Sequence, residues 1–518
     1  MAVRVLFLMA HAGAARNFES TIRGLAARGH RVHLALGTPD RRGRQAAMRL
    51  IGRLADEHHL ITTGCYPDLG GEDAAQLGRH IRMSLDFLRF QDPVFQTAPA
   101  LARRAEAWLP FPRVRRALAR SPILRRAARA ALGSAMRAVP VSDGALDYLR
   151  EQGPDVLLVT PLVDPGSLQP EYVRAAKRLA IPSCLCVSSW DNLSGKGLVR
   201  ECPDAVMVWN KRQRDEAVEQ HGIAPDRVIV TGAACYDHWF SWRPSRERDA
   251  FARAAGLDPA RPFVLYVGSA PFIAPDESRL IVAWLAELAD HGLDDLQVLV
   301  RPHPLNPVVG TEPAQEALAR DQRVRVFPAL GADPTDHQSR QDYYDSLHHA
   351  AAVVGVHTSA FLEAAIVGRH VFVLLSPRHR HGQTGQPHFR HLLTAGGGLL
   401  HVAHDAREHA VQLRAALTDE SSAACTRGRR FVDDFVRPYG HDEPATPRVI
   451  SAVESLRVRS LSPQSAGVLG PALLPGRLPV VPGEAFRRKV GLGRGRGQGR
   501  GPALVPRLRG RSRRRRGI

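Results

Sequence analysis

Gln297-Val-Leu-Val-Arg-Pro-His-Pro304 is the stretch from which the fold is read. The β-branched apolar run Val298 to Val300 has the character of a buried strand, and Pro302 and Pro304 stop it at once. A cation, Arg301, and an imidazole, His303, therefore stand at the carboxyl end of a strand. In open α/β sheets that edge is where ligands bind. The planar fork of Arg301 suits a phosphate. The plainer alternative is an arginine capping a nearby helix beside a loop histidine.

Around this stretch the pattern repeats. Phe263–Val267 reads as a strand and runs into Gly268-Ser-Ala-Pro271, a small-residue loop able to offer backbone amides to a phosphate. A helix over 276–291, closed by Gly292, separates it from the strand at 296–300. Ala352–Gly355 is a further strand that opens into Val356-His-Thr-Ser-Ala-Phe-Leu-Glu363. Thr358 or Ser359 caps a short helix there, Gly368 closes it, and 371–375 continues the sheet. Free amides and two hydroxyls at such a helix start suit a diphosphate, and Glu363, one turn in, is placed for a ribose diol.

The first half has the same grammar. Val3–Met9, a loop with His11 and Gly13, a helix from Asn17 to Arg28 and the strand Arg31–Leu36 make one βαβ unit. The loop is not G-x-G-x-x-G, so no NAD or FAD is inferred. His11 is a ligand-facing candidate or a histidine bonded at a strand end. From 41 to 89 the pattern is mostly helical, interrupted at Ile61-Thr-Thr63 and Cys65-Tyr-Pro67. Strands at 155–160, 182–187, 205–209 and 227–231 follow. The fourth of these six strands ends in Ser188-Ser-Trp-Asp-Asn-Leu-Ser-Gly-Lys-Gly197, dense in hydroxyls, amides and charge. Asp191 is its candidate general base, with an Asx turn to Asn192 as the structural alternative. Residues 239–262 read as a link between halves.

Charge is unevenly distributed. The chain carries +20 in 518 residues; 457–518 holds sixteen Lys/Arg against Glu484, a net of +15, which leaves +5 for 1–456. Pro99–Pro140 holds ten Arg against Glu106, a net of +9, so the remainder is −4. That block interleaves Arg with Trp108, Phe111, Val114 and Ile123, as in a helix lying on an anionic membrane or a solvated helical hairpin covering the domain. The Arg/Gly/Pro-rich tail is expected to be disordered. Six dispersed cysteines demand no disulfide, the opening apolar run is short for a signal peptide, and no apolar run reaches membrane-span length, so a cytoplasmic protein is expected.

Gly232-x-x-x-Tyr236-Asp237, Tyr266-Val-Gly-Ser269, Arg301-Pro-His-Pro304 and Ser359-x-x-x-Glu363-Ala with Gly368 stand in an order and spacing that resembles the B-type glycosyltransferase superfamily. The likeness is to its bacterial branch of CDP-glycerol glycerophosphotransferases and non-hydrolysing UDP-N-acetylglucosamine 2-epimerases. It spans most of 200–375; the first 150 residues match only as architecture. The resemblance implies that Glu363 binds the nucleotide ribose, and that Gly268, Ser269, Thr358 and Ser359 hold the diphosphate with Arg301 and His303. Three departures stand out. Arg301 replaces the lysine of the glycerophosphotransferases, Gly355 occupies the first acidic position of Glu-x7-Glu enzymes, and no proline follows Gly368.

The expected architecture is α/β, with two Rossmann-like doubly wound domains facing across a cleft. An acceptor domain at 1–240 carries the basic helical insert at about 99–140; 241–262 links it to a nucleotide-donor domain at 263–440. A terminal helix at 441–458 and the tail at 459–518 complete the chain. The expected activity is transfer of a sugar, or polyol phosphate, from a nucleotide-activated or CDP-polyol donor to a saccharide or lipid-linked acceptor in cell-envelope or polysaccharide synthesis. Asp191 or His11 would act as base, with no cofactor and no obligatory metal. Peripheral contact with the inner face of an anionic membrane through the Arg-rich segments is a further expectation. Two rivals remain open: a nucleotide-sugar 2-epimerase, and a nucleic-acid or anionic-lipid binder acting through its tail, nucleic acid being the weaker partner.

Overall fold

The structure is a computed structural model that describes residues 2–37, 44–109, 111–328, 334, 336–375, 380–418 and 423–460. The first sheet contains β1 (Arg4–Met9), β2 (Arg31–Leu36), β3 (Ile61–Cys65), β4 (Val156–Thr160), β5 (Ser183–Cys186), β6 (Ala205–Val208) and β7 (Val228–Val230). Their order across it is β3-β2-β1-β4-β5-β6-β7. The second contains β8 (Phe263–Val267), β9 (Gln297–Arg301), β10 (Val324–Val326), β11 (Ala352–Gly355), β12 (Val371–Leu374) and β13 (His401–Ala403), ordered β10-β9-β8-β11-β12-β13. Every pairing is parallel. Each order reverses direction beside its first strand, as in doubly wound sheets.

Parallel strands are covered by helices on both faces, which is why their sequences are apolar runs and not alternations. In β1, Val5, Phe7 and Met9 enter one core while Leu6 and Leu8 enter the core on the opposite face. The quoted stretch behaves likewise: Leu299 packs on one side of the second sheet, Val298 and Val300 on the other.

Two strands escaped the sequence reading, both at sheet edges. Ile61–Cys65, read as a break between helices, is β3, and only Ile61 in it is buried. β13 has three residues, two of them only partly buried. An edge strand without an apolar run leaves no hydrophobic signature. The helix expected from Asn17 begins earlier and tighter, as a 3-10 turn over Ala12–Phe18 that passes into an α-helix over Glu19–Ala27.

The segment expected to link the halves is partly core. Its helix Arg248–Ala254 inserts Phe251 and Ala252 beneath the second sheet. The terminal helix, Thr446–Ser460, returns to the first sheet and packs Ile450 and Val453 with Ile22 and Leu25. Asp237 anchors that return by accepting from the Ala445 and Thr446 amides, the Thr446 hydroxyl and Arg437. Gly232 sits at φ +88, and a Cβ there would stand 2.8 Å from the Ala445 Cβ, so the Gly232…Asp237 motif is first a packing device.

The basic block forms helices Pro99–Glu106, Pro112–Arg120 and Pro122–Ala138. Leu101, Ala105 and Met136 pack with Leu85 and Leu88 of the helix Asp73–Arg89. The far corner buries nothing comparable. Phe111, Val114, Leu124 and Ile123 (81% exposed) face outward among arginines. The base of the block covers the domain, as in the helical-hairpin reading, and its tip leaves these apolar side chains exposed. No helix among the described residues is long and apolar enough to cross a membrane. The tail beyond Ser460 lies outside the described residues.

Candidate active site

The carboxyl ends of the two sheets border one cavity of about 230 Å³. Seven of the nine residues singled out for catalysis or donor binding fall near the second sheet's share of it. Gly268, Arg301, His303, Thr358, Ser359 and Glu363 line the cavity; Ser269 does not.

β9 ends on Arg301, which is 6% exposed. Its guanidinium lies over the Tyr343 ring at 4.7 Å, and Nη1 donates to the Ser346 hydroxyl at 3.3 Å. Nη2 is buried and has no hydrogen-bond partner. Burial pushes the Arg301 pKa down to about 10, against the pull of Tyr343, Asp342 and Glu363. The side chain stays charged at neutral pH with one donor unused on a cavity wall. Such a group is costly unless an anion completes it.

Beside it, His303 Nδ1 accepts from the Leu305 amide at 3.1 Å, so its proton belongs on Nε2. Gly268 makes this packing possible: a Cβ would stand 2.5 Å from the His303 amide nitrogen. The amides of the Gly268-Ser269 loop, expected to face a phosphate, are engaged elsewhere. Gly268 donates to the Arg301 carbonyl at 2.8 Å, and the buried Ser269 amide donates to both oxygens of Glu277 at 2.9 and 2.8 Å. Glu277 also accepts from Asn306 at 3.1 Å. Burial raises its pKa to about 8 despite those donors. These two amides are therefore held by the protein's own acceptors beneath the cavity.

Thr358 and Ser359 precede a seven-residue helix, Ala360–Ile366, that carries Glu363. The Tyr343 hydroxyl donates to Glu363 Oε2. Burial raises the Glu363 pKa to about 7, while Tyr343, Arg16 and Arg301 act to lower it. Arg16 belongs to the first domain, so cations from both sides address this carboxyl.

The first domain supplies Arg16, Asn17, Ser188 and Trp190 to the cavity. Asn17 Nδ2 donates to the Ser188 carbonyl at 3.1 Å, tying the loop after β1 to the loop after β5. Asp191 and His11 are not among the lining residues. His11 follows β1 and is exposed. Asp191 stands next to Trp190; burial alone would raise its pKa, but Lys196 and His388 outweigh burial and leave it lowered. Trp190 wedges edge-on between His357 at 5.3 Å and His388 at 5.0 Å of the second domain. At the rim, Arg340 of the second domain pairs with Glu19 of the first at 2.7 Å.

The sequence reading missed an aromatic wall. Trp209, Tyr236, Trp239, Trp242 and Tyr343 line the cavity beside His238. Trp239 packs edge-on to Tyr343 at 5.5 Å and lies 4.9 Å from Trp242. Four large aromatics between 236 and 242 were the available signal, obscured because the segment read as a linker.

The sequence matches no family model and no curated protein. Solved structures match by fold. A glycosyltransferase from Rickettsia africae ESF-5 is 8% identical, with a TM-score of 0.51 over 88% of this chain and 99% of that one. A UDP-GlcNAc 2-epimerase from Neisseria meningitidis, solved bound to UDP-GlcNAc, is 13% identical, with a TM-score of 0.50 over 87% and 100%. The chain has the B-type glycosyltransferase fold. In this B-type arrangement, loops remote in sequence converge because both sheets present their carboxyl edges to one space. The helix Thr446–Ser460 then ties the second half back onto the first.

Proposed function

We propose that the chain is an enzyme that transfers a sugar, or a related polyol phosphate, from a nucleotide-activated donor held in the cavity between the two sheets. The observation that carries this reading is Arg301, a buried cation on the cavity wall whose Nη2 lacks a partner. A nucleoside diphosphate supplies the missing acceptor. His303 Nε2, Thr358 and Ser359 add donors around it, and Arg16 approaches from the opposite domain. Glu363 accepts from the ribose hydroxyls, and the aromatic wall offers faces for a base. UDP-GlcNAc, held by the Neisseria epimerase, makes uridine nucleotides the first donors to test.

In this mechanism the departing nucleotide diphosphate gains negative charge as the bond to the sugar breaks. Arg301 and His303 are fixed before that charge develops, so stabilising it needs little reorganisation. For the acceptor hydroxyl's proton the candidates are Asp191, ionised beside Lys196, and then His11; neither lines the cavity, so the acceptor or the loop carrying the base must move to bring them together. The acceptor is a saccharide or a lipid-linked one, in cell-envelope or polysaccharide synthesis. The cationic tip with outward Phe111 and Ile123 would bring the enzyme to an anionic membrane that holds such acceptors.

The test has two steps. Thermal-shift screening of UDP-, GDP-, CDP- and dTDP-linked donors should single out one nucleotide, since a ligand of the native state raises Tm. Incubation with that donor, with and without candidate acceptors, then separates transfer from rearrangement. Free nucleotide with an altered sugar and no acceptor present would favour the 2-epimerase, a reading kept because the fold likeness to an epimerase equals that to a transferase. No shift with any donor would overturn both.

A further inference from the structure

A second cavity, of about 270 Å³, lies in the donor-side domain away from the cleft. It is enclosed by the helices Glu277–Ala289 and Ala406–Thr418 and by the ends of β8, β11 and β12. None of its lining residues belongs to the proposed donor site. Ala283, Leu280, Val354 and Leu374 make its walls apolar, with rings from Tyr266 and Trp284.

Three polar side chains on this wall are at least nine-tenths buried and have atoms without partners. Trp284 (8% exposed) has an unpaired Nε1, His409 (0%) has both ring nitrogens unpaired, and Gln383 (1%) has an unpaired Oε1. The orientation of Gln383 is fixed. Its Nε2 donates to the Val356 carbonyl at 3.4 Å and the Leu374 carbonyl at 3.1 Å, so the oxygen is the atom left over. These atoms lie just behind the cavity's lining with almost no accessible surface, so a guest meets them only as the side chains turn toward it: a donor from Trp284, a donor and an acceptor from neutral His409, and an acceptor from Gln383. Burying such atoms unpaired is costly, and a complementary ligand recovers that cost. No charged side chain lies inside, whereas the carboxylates of Glu287 and Asp405 stand exposed at the rim. A charged guest would lose its hydration without a counter-charge, and an anion would also meet like charge at the entrance.

We propose that this cavity is a binding site for a neutral, flat nitrogen heteroaromatic molecule that carries both hydrogen-bond donors and acceptors. The guest lies among the rings of Tyr266, Trp284 and His409 and completes the bonds of Trp284, His409 and Gln383. The volume exceeds the ~150 Å³ of an engineered cavity that holds benzene, so a bicyclic ring fits. The site also has a route to the cleft. Gln383 grips the Val356 carbonyl, and His357 Nδ1 donates to the Gly382 carbonyl at 2.7 Å, immediately before Thr358 and Ser359. Only this consequence, modulation of nucleotide affinity, rests on the donor-site reading; binding itself does not.

Ligand-detected NMR titration of the full chain with indazole and benzimidazole at pH 8, with benzoate as the charged control, tests the site. Saturable binding of a neutral ring, at least fivefold tighter than benzoate, is expected. Ala283→Leu, which fills the cavity, should weaken it at least tenfold, and Trp284→Phe, which removes one donor, at least threefold. Absence of saturable binding, equal binding of benzoate, or undiminished binding in a folded Ala283→Leu protein overturns the proposal. Should Ala283→Leu not fold, undiminished binding in Trp284→Phe overturns it instead. None of these readouts uses a nucleotide, so they stand or fall apart from the donor site.

Discussion

Replacing Arg301 with Met separates an anion-binding arginine from a structural one, because the two roles predict opposite changes. Arg301 is held charged in a buried place that lowers its pKa from the ordinary arginine value to about 10. At ~1.4 kcal/mol per unit, that environment disfavours the charge by on the order of 3 kcal/mol in the empty protein. Met keeps most of the aliphatic packing over Tyr343 and removes the unpaired Nη2. What is lost is the cation–π contact and one 3.3 Å bond to Ser346, together worth about 1–2 kcal/mol. Stability of the empty protein should therefore hold or rise, since removing a lone buried charge is commonly neutral or favourable. Nucleotide binding should suffer. A charge-assisted bond to the diphosphate contributes ~1.5–3 kcal/mol, so affinity should fall roughly 10- to 150-fold. Isothermal titration with the nucleotide chosen by the thermal-shift screen, beside melting of the ligand-free variant, reads both. A folded Arg301→Met protein that binds nucleotide as tightly as wild type would refute the reasoning. So would one that melts several degrees lower with its affinity intact.

Glu363→Ala should weaken nucleotide binding at least tenfold, about 1.4 kcal/mol, measured by the same titration; unchanged affinity would remove Glu363 from the site. Because burial holds the Glu363 pKa near 7, the carboxylate that accepts ribose hydroxyls forms only as pH rises through that value. Affinity for UDP-GlcNAc should thus increase from pH 6 to pH 8 in wild type and stay flat in Glu363→Gln. Glu277 gives a stability effect: its folded pKa, raised from 4.5 to about 8, favours the protonated native form. That contribution is full below pH 4.5 and is lost as pH rises to about 8, a few kcal/mol in all. Glu277→Gln should flatten the fall of Tm across this window, and an unaltered slope would contradict the assignment. Sedimentation with phosphatidylglycerol vesicles checks the cationic tip. Phe111→Glu/Ile123→Glu should reduce the bound fraction at least fivefold, and equal sedimentation would exclude that face.

The apolar runs of β1, β4, β8, β9 and β11 were legible because a parallel strand buried on both faces must be apolar throughout. Prolines and glycines at their ends marked where each loop begins. From the order of strands, helices and polar loops, the two doubly wound halves followed, as did six of the residues on the second sheet's side of the cavity. β3 and β13 were not legible, since an edge strand needs no apolar run.

Backbone commitments were hidden as well. The Gly268-Ser269 loop has the composition of a phosphate cradle, yet Glu277, eight residues on, occupies the Ser269 amide. Only the packed structure shows which donors remain. The same holds for Trp239, Trp242 and Tyr343, brought to one wall from a supposed linker and a distant helix, and for the cavity behind β11. Local sequence decides which segments are strands and where they stop. Which polar atoms are left without partners is decided only when distant segments have closed on one another, and in this protein some of those atoms belong to residues that line the two cavities.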